Sequence, residues 1–452
     1  MDIQATVPEK VTLREQLAHR NDRVGLLLGL SERHGDVASM NRLGGLIKVH
    51  FVSSADLAHE VLVDKADAFV KGYGLSVFAK PLLGNGLLTS EADFHRRQRR
   101  MMAPAFVHKR IADYASVISA RTEAATAGWA DGATLDFSDA MMRLTLEIVG
   151  ATLFGAEVGA EADEIGEALT TALKQAADAL ISFVPIPPSV PTPGNRRAKA
   201  AVARLDETVY RLIRERRKEG PGHDRGDFLS MLLLAQDEDD GSTMTDRQVR
   251  DEAMNIFVAG HETTANALAW TFYLLSQHPE IRARLEREVD EALGGRAPLL
   301  ADLAGLPYAL QVFKEAMRLY PPAFAVARRA TREVMIGNYR FARNDLAIIN
   351  IIGMHRRPDY FAEPMRFNPD RFAPEAEKAI PRYAYLPFGA GARVCIGNHF
   401  ALLEGQLAVA AIAQRVRVDP PLGAARVEPE PMITLRPKGK MQMLVRRRRA
   451  SA

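Results

Sequence analysis

The sequence is poor in cysteine and carries little excess charge. Cys395 is the only cysteine among 452 residues, which excludes an intrachain disulfide, a multi-thiolate zinc or iron–sulfur cage and a paired-cysteine haem attachment. The 59 basic and 56 acidic residues leave a formal net charge of +3, so we expect no nucleic-acid partner. Low cysteine use is typical of a reducing compartment, and we predict a cytoplasmic location.

Long apolar runs are also lacking. The longest one near the amino terminus, Val24 to Leu30, is far below the roughly 20 residues that span a bilayer. We therefore expect no membrane anchor. A hydrophobic fraction of 47% is that of a globular protein and excludes a disordered chain. The basic run Arg446 to Arg449 predicts a solvated tail.

Helical periodicity dominates the chain. Apolar residues three and four apart predict helices at Ile111 to Ala130, Met141 to Leu153, Ile165 to Ile181 and Ala198 to Arg217. The proline-rich stretch Pro185 to Pro193 cannot be helical and predicts a stiff connector. Thr245 and Gln248 form a capping-box start for a long helix to about Ser276, which Pro279 ends.

Strand-like alternation is scarcer. It occurs at Gly45 to Val52, Val334 to Phe341, Ala347 to Ile352, Met432 to Leu435 and Met441 to Val445. The chain is therefore predicted to be mainly α, with a small β-rich lobe near the amino terminus.

A glycine-punctuated loop, Phe388 to Gly397, places the cysteine just before a helical pattern. Backbone donors and the positive end of that helix would favour a thiolate over a thiol. Gly389, Gly391 and Gly397 permit conformations and close approaches that a side chain blocks. Such a sulfur is a natural axial ligand for iron. The alternative is that Cys395 is a small buried apolar residue.

The segment from Phe388 through Ala401 resembles the signature of the cytochrome P450 family of haem-thiolate monooxygenases, with every fixed position filled. The resemblance implies that Cys395 is the proximal ligand of a haem b iron and that Phe388 shields its sulfur. It also assigns Gly389, Gly397 and Ala401 to the cofactor-binding segment. The expected fold is a triangular-prism haem domain over residues 35–445, after an extension at 1–34 and before a basic tail at 446–452.

A second motif is Glu315 and Arg318, three apart on a helix that Pro321 and Pro322 follow. Alone, such a pair would be a surface ion pair worth under about 1 kcal/mol. The family has these residues with an arginine from a later loop, which matches Arg371 here. The resemblance implies a buried structural triad that positions the cysteine loop.

A third motif is Ala259 to Thr264, midway along the long helix. The Thr263 hydroxyl can bond to the carbonyl of Ala259, and Gly260 weakens the helix there, so a small pocket could open. Tight helix packing would explain the same residues. In the family this segment crosses the distal haem face, which implies that Thr263 bonds the bound oxygen and that Glu262 relays protons. Nothing around His261 supports a metal site.

A fourth motif is the basic run around His95 and Arg99, which share a helix face and could hold two propionate carboxylates. The resemblance adds Arg328 and Arg393 as further propionate contacts, with Arg329 as an alternative to Arg328. The remaining cations would face an acidic redox partner: Arg96, Arg97, Arg100, Lys109 and Arg110.

The resemblance implies a monomeric monooxygenase that takes two electrons from a separate ferredoxin and ferredoxin reductase. It would insert one oxygen atom into a C–H bond, by hydroxylation or epoxidation. Apolar segments at 75–88, 181–190, 256–258 and 323–326 are the expected lining, which suits a fatty acid, terpenoid, steroid or macrocycle. The alternatives are a peroxygenase or isomerase on the same scaffold, and a non-catalytic haem-thiolate sensor or ligand carrier.

Overall fold

The computed structural model describes residues 6–19, 22–42, 45, 47–155, 162–181, 186–220 and 223–448. Helices dominate this part of the chain. They are α1 Leu13–Ala18, α2 Arg23–Arg33, α3 Ala55–His59, α4 Lys80–Leu83, α5 Ala92–Met102, α6 His108–Ala127, α7 Phe137–Leu153, α8 Ala162–Ile181, α9 Pro193–Lys218, α10 Phe228–Leu234, α11 Asp246–Gln277, α12 Pro279–Leu293, α13 Pro307–Leu319, α14 Ile351–Met354, α15 Pro374–Lys378 and α16 Asn398–Arg415.

The strands are shorter. They are β1 Glu9–Lys10, β2 Val37–Arg42, β3 Ile47–Val52, β4 Phe69–Lys71, β5 Thr134–Asp136, β6 Val326–Ala330, β7 Val334–Ile336, β8 Tyr339–Phe341, β9 Leu346–Ile349, β10 Val416–Asp419, β11 Pro429–Pro431, β12 Leu435–Pro437 and β13 Gln442–Arg447. Six of them form one sheet in the order β1-β2-β3-β9-β6-β4, and β10-β13-β5 form a second; β7–β8 and β11–β12 are hairpins.

The capping signals placed the long helix correctly. Thr245 Oγ1 accepts from the Gln248 N–H at 3.3 Å, and the Gln248 side chain accepts from the Thr245 N–H at 2.8 Å. Both bonds satisfy donors that a helix start leaves open. The helix, α11, ends at Gln277, and Pro279 starts α12. The predicted helices after residue 110 are confirmed as α6, α7, α8 and α9.

The β-rich lobe combines two distant parts of the chain. In the six-stranded sheet, β3 pairs in parallel with β9, and β6 joins β9 to β4. The lobe therefore needs residues 326–349 as well as the amino-terminal strands. Val24, Leu27 and Leu30 of α2 are buried, so the described part of the predicted extension packs into the fold.

The structure of residues 446–448 also differs from the predicted solvated tail. Arg446 and Arg447 lie in β13, and Arg447 donates to the carbonyl of Ala127 at 2.7 Å. Arg448 pairs with Asp290 at 2.6 Å. Unsatisfied carbonyls at the end of α6 and the partly exposed carboxylate of Asp290 attract these two side chains, so Arg447 and Arg448 are bound to the fold and are not a free tail. Arg449 lies outside the described residues.

Helix α11 runs through the main core. It packs against α7, α13 and α16, and Trp270 on it is fully buried. In the part of the chain that the structure describes, no helix combines the length and apolar character that a membrane crossing requires.

Candidate functional site

The loop before α16 folds back on itself around Cys395. The Cys395 amide donates to the carbonyl of Phe388 at 2.9 Å. Gly389 and Gly391 have φ angles of +69° and +70°, a region that favours glycine. A Cβ on Gly391 would lie 2.2 Å from the carbonyl oxygen of Leu62, so the loop cannot dock with a larger residue there.

Gly397 differs from the other two glycines. Its φ is −94°, and a Cβ there would meet only the Phe106 ring at 3.7 Å. It needs no special backbone conformation; it accepts from the Ala401 N–H at 2.9 Å, which begins the bonding of α16. The prediction that the backbone requires glycine is therefore confirmed at Gly389 and Gly391 but not at Gly397.

The Cys395 thiol is accessible to solvent, yet burial raises its pKa from the ordinary value. The exposure of the thiol and its raised pKa agree, because the thiol faces a space that the protein encloses. The Gly397 amide and the Arg99 guanidinium lower the pKa, but by less than burial raises it. The backbone donor acts in the predicted direction, but desolvation outweighs it and the cation, so the pKa of the thiol lies above its ordinary value.

Basic side chains from β4, α5 and β6 converge with Arg393 of this loop: Lys71, His95, Arg99 and Arg328. Arg99 Nη1 donates to the Val394 carbonyl at 2.8 Å. Arg393 forms an ion pair with Glu91. Burial, followed by the neighbouring cations, lowers the pKa of His95 to about 4. Burial also lowers the pKa of Arg328 to about 10. The positive charge of the cluster therefore exceeds the negative charge of its acidic neighbour, Glu91.

Arg328 and Arg329 point to opposite faces of β6, as neighbours on a strand do. Arg328 is buried, and Arg393 adjoins it closely enough to lower its pKa. Arg329 donates to Asn344 at 2.9 Å and lies over the Tyr73 ring. The structure thus places Arg328, and not Arg329, in the basic cluster.

On α11, Thr263 Oγ1 donates to the carbonyl of Ala259 at 2.6 Å. Ala259, Gly260 and Thr263 are partly accessible on a helix whose neighbouring residues are buried. A Cβ on Gly260 would meet Val149 of α7 at 3.0 Å, so this glycine also permits close helix packing. Ile256, Phe257 and Val258, expected as lining, are all buried. Ile256 lies three and seven residues before Ala259 and Thr263 and shares their side of α11, whereas Phe257 and Val258 lie on other sides of the helix.

Glu262 is buried and bound to the carboxy-terminal hairpin. Its Oε1 accepts from Thr434 Oγ1 at 2.6 Å and from Arg436 Nε at 2.7 Å. Its Oε2 has no hydrogen-bond partner among the described residues. The carboxylate is therefore held as an ion pair, with one oxygen left for a further partner.

His261 is a core residue. Its Nδ1 lies 2.8 Å from the carbonyl of Phe257, and burial lowers its pKa. Over the described ranges, no cluster of His, Cys, Asp and Glu side chains could hold a metal ion.

Glu315 and Arg318 are fully buried and doubly hydrogen-bonded at 2.7 Å. Arg371 Nε lies 3.5 Å from Glu315 Oε1, and the Arg371 side chain as a whole is 12% exposed. Burial lowers the pKa of His355 to about 3, so its ring is neutral. His355 Nε2 accepts from the Leu386 N–H at 2.9 Å, and its Nδ1 lies 3.2 Å from the Arg318 carbonyl. His355 thus connects the buried pair to the segment leading into the cysteine loop.

The Cytochrome P450 family model matches residues 16–445. The chain belongs to the cytochrome P450 family. "Cyclooctatin synthase" of Streptomyces melanosporofaciens is 40% identical over 403 residues, covering 89% of this chain and 87% of the relative. "Cyclooctat-9-en-7-ol 5-monooxygenase" of the same organism is 39% identical, covering 86% and 83%. "Pentalenene oxygenase" of Streptomyces avermitilis is 33% identical, covering 84% and 86%.

The P450 fold is equally clear. The crystal structure of the cytochrome P450DA heme domain superposes with a TM-score of 0.86 at 25% identity, covering 99% of both chains. The chain is a P450 monooxygenase with a haem cofactor. Its residues fit that group, since an accessible thiol lies beside a buried cationic cluster that two propionate carboxylates would neutralise.

The basic face of α5 is largely neutralised within this P450. Arg97 Nε binds Asp237 at 2.9 Å, and Arg100 Nη2 binds Asp237 at 3.1 Å and Asp239 at 2.6 Å. Hydrogen bonds from the Asp239 amide and then these arginines lower the pKa of Asp237 to about 2. Arg110 is paired with Asp224. Arg96 is paired with Asp93, so four of the five predicted docking cations, all except Lys109, have intramolecular ion-pair partners among the described residues.

Sequence reasoning missed four residues of the site: Lys71, Glu91, His355 and Arg436. Glu91 is the N-cap residue of α5 but makes no side-chain cap bond; it contacts Lys71 and Arg393 instead. All four act through contacts distant in sequence, and no local pattern marks them.

Proposed function

We propose that this P450 monooxygenase inserts one oxygen atom from O2 into a C–H bond of a cyclic terpenoid, with haem b as its cofactor. The observation that carries the proposal is the accessible Cys395 thiol beside the buried basic cluster. The terpenoid class is supported by the relatives named for cyclooctatin, cyclooctat-9-en-7-ol and pentalenene. A fatty acid, steroid or macrocycle is the less supported choice.

In this proposal Cys395 would bind the haem iron and Phe388 would cover its sulfur. His95, Arg99, Arg328 and Arg393 would hold the propionates through charge-assisted hydrogen bonds. The bound haem supplies the oxygen-activating chemistry. The Cys395 amide bond to Phe388 and the glycine turns keep the sulfur in place. The buried pair Glu315 and Arg318, with Arg371, positions this loop through His355.

Protons would reach the reacting face of α11 through Thr263. Its hydroxyl hydrogen is donated to Ala259 at rest, and rotation about one bond redirects it to a ligand beside Gly260. Glu262 Oε2 has no hydrogen-bond partner among the described residues. It would accept a proton and pass it on to the Thr263 hydroxyl. Because Arg436 holds the other oxygen, Glu262 would act as a carboxylate that takes protons from water.

The expected substrate wall is apolar. Leu75, Leu88, Ala323, Phe324 and Val326 are partly buried, and they carry no charge that a hydrocarbon ring would have to desolvate. Ile186 and Val190 of the connector are exposed, whereas residues 182–185 lie outside the described residues. This lining supports a lipophilic substrate.

Electrons would come from a ferredoxin and its reductase, with the P450 acting as a monomer. A cytoplasmic location remains a prediction. A peroxygenase, an isomerase or a non-catalytic haem sensor would not need external electrons.

Reconstitution tests these proposals. The purified holoenzyme should give the carbonyl difference spectrum of a thiolate-ligated haem, and cyclic terpene alcohols should shift its resting spectrum. With ferredoxin, reductase and NADPH it should form hydroxylated product. A histidine-type carbonyl spectrum would refute the Cys395 assignment, and turnover with peroxide alone would favour the peroxygenase.

A further inference from the structure

The loop between α4 and α5, residues 84–90, is bound to α11 by side chains rather than by backbone pairing. Three α11 side chains accept from three loop amides: Asp251 Oδ2 from Asn85 at 2.8 Å, Glu252 Oε2 from Leu87 at 2.9 Å, and Asn255 Oδ1 from Leu88 at 2.7 Å. Asn255 Nδ2 also donates to the Leu83 carbonyl at 2.8 Å. All three side chains are buried.

Two glycines let the loop approach the helix this closely. Gly84 has a φ of +61°, and a Cβ there would lie 2.0 Å from Asp251 Oδ1. A Cβ on Gly86 would lie 2.3 Å from Asn255 Nδ2. Any larger residue at either position would push the loop away from α11. The contact is thus a close backbone-to-side-chain fit.

Lys71 binds the same loop from the other side. Its Nζ donates to the carbonyls of Leu87 at 2.8 Å and Ser90 at 2.6 Å. The side chain is buried, and Glu91 and Glu252 partly offset the burial that lowers its pKa to about 7. Lys71 belongs to the basic cluster described above. The loop therefore lies between α11 and the proposed propionate site.

The α11 side chains that hold the loop share a face with the proposed oxygen site. Positions 252, 255, 259 and 263 are spaced by three and four residues, which puts them along one side of a helix. Asn255 lies one turn before Ala259, about 6 Å along the axis. The loop segment that carries Leu87 and Leu88 therefore borders the accessible part of α11.

We propose that Asp251, Glu252, Asn255 and Lys71 form a polar clamp that positions the 84–90 loop as the size-selecting wall of the substrate pocket. This rests on the proposed function, because the wall matters only if a lipophilic substrate enters beside Thr263. The four are positioning residues: they act through the loop, which presents Leu87 and Leu88 to the ligand. Loosening the clamp enlarges the pocket without changing the thiolate ligand.

The test compares Glu252→Ala, Asn255→Ala and Glu252→Gln in the holoenzyme. Glutamine keeps an acceptor for the Leu87 amide, so it is the conservative rescue. Hydrogen exchange of residues 84–90 reports the clamp directly. Imidazole and the bulkier clotrimazole, both titrated by the haem spectrum, report pocket size. Glu286→Gln is the matched control, since this buried carboxylate of α12 binds Arg417 and not the loop.

We expect both alanine variants to speed exchange in the loop about tenfold and to shift the ratio of the two Kd values about tenfold toward clotrimazole. Glu252→Gln should stay near wild type, and Glu286→Gln should change neither readout. Faster exchange with an unchanged Kd ratio would overturn the size-selecting role. Unchanged exchange would overturn the clamp itself. A wild-type chain that binds no haem would refute the proposed function while leaving the exchange result interpretable.

Discussion

Arg436 donates through Nε to Glu262 Oε1 at 2.7 Å, tying the residue before Thr263 to the carboxy-terminal hairpin. Thr434 donates to the same oxygen, and Asn266 donates to Thr434 at 3.1 Å. The proposed proton-relay carboxylate is therefore part of a network between α11 and β12, and its position depends on residues far away in sequence.

Removing Arg436 should expose that dependence. Arg436→Leu leaves Glu262 buried without a counter-ion, and we expect the free energy of unfolding to fall by about 3 to 5 kcal/mol. Urea denaturation measures the loss. In the double variant with Glu262→Gln, most of the loss should be recovered, because no buried charge remains. Additive losses would contradict the pairing.

Thr263→Ala should uncouple oxygen consumption from product formation. The variant lacks the hydroxyl that reaches Ala259, so product per O2 consumed should fall about tenfold while peroxide rises. Haem content and the carbonyl spectrum should stay unchanged. Thr263→Ser keeps the hydroxyl and is the control. Full coupling in the alanine variant would remove Thr263 from the proton path.

The two arginines beside Glu315 should differ in importance. Arg318 is fully buried and doubly bonded to the carboxylate, so Arg318→Ala should cost about 3 to 5 kcal/mol of unfolding free energy. Arg371 lies farther away and is partly accessible, so Arg371→Ala should cost about 1 kcal/mol. Urea denaturation of both variants checks the order, and equal losses would contradict it.

Glu404 should make the stability depend on pH. It is fully buried on α16, neither oxygen has a regular hydrogen bond to a described residue, and burial raises its pKa from 4.5 to about 8, although the nearby Thr264 hydroxyl lowers it in part. Because the folded pKa exceeds the unfolded one, this contribution to stability is complete below pH about 4.5 and is lost as the pH rises through about 8.

The neutral variant Glu404→Gln isolates that contribution. The unfolding free energy of the wild type minus that of the variant should decrease between pH about 5 and about 8. Urea denaturation at several pH values gives both curves. Parallel curves would show that the Glu404 carboxyl does not stay protonated in the folded protein.

The acidic loop that carries Asp237 and Asp239, beside α5, should repel an acidic ferredoxin. Asp239 is exposed and binds Arg100, so Asp239→Asn frees positive charge at this surface. We expect ferredoxin-driven reduction at low salt to speed up about threefold, with a steeper salt dependence. Asp93→Asn, which removes the exposed partner of Arg96, is the comparison. An unchanged rate would place the docking surface elsewhere.

Much of the site could be predicted from local sequence. The cysteine loop, the spacing of Glu315 and Arg318, the return bond from Thr263 to Ala259 and the capping box at Thr245 involve residues within a few positions of each other. Local spacing determines such contacts because helix geometry repeats every few residues. The same reasoning left out the burial of the Cys395 thiol, which raises its pKa and is not a local property.

The family resemblance, the single candidate for an iron ligand and the order of the major helices follow from local sequence, because glycines, caps and apolar periods act over short stretches of chain. The fold was needed to show that Arg328, rather than Arg329, enters the basic cluster and that Arg436 holds Glu262. It was also needed to show that Lys71 and Asn255 hold the 84–90 loop. These contacts join residues that are distant along the chain, and they form only after the sheet and α11 bring their backbones together.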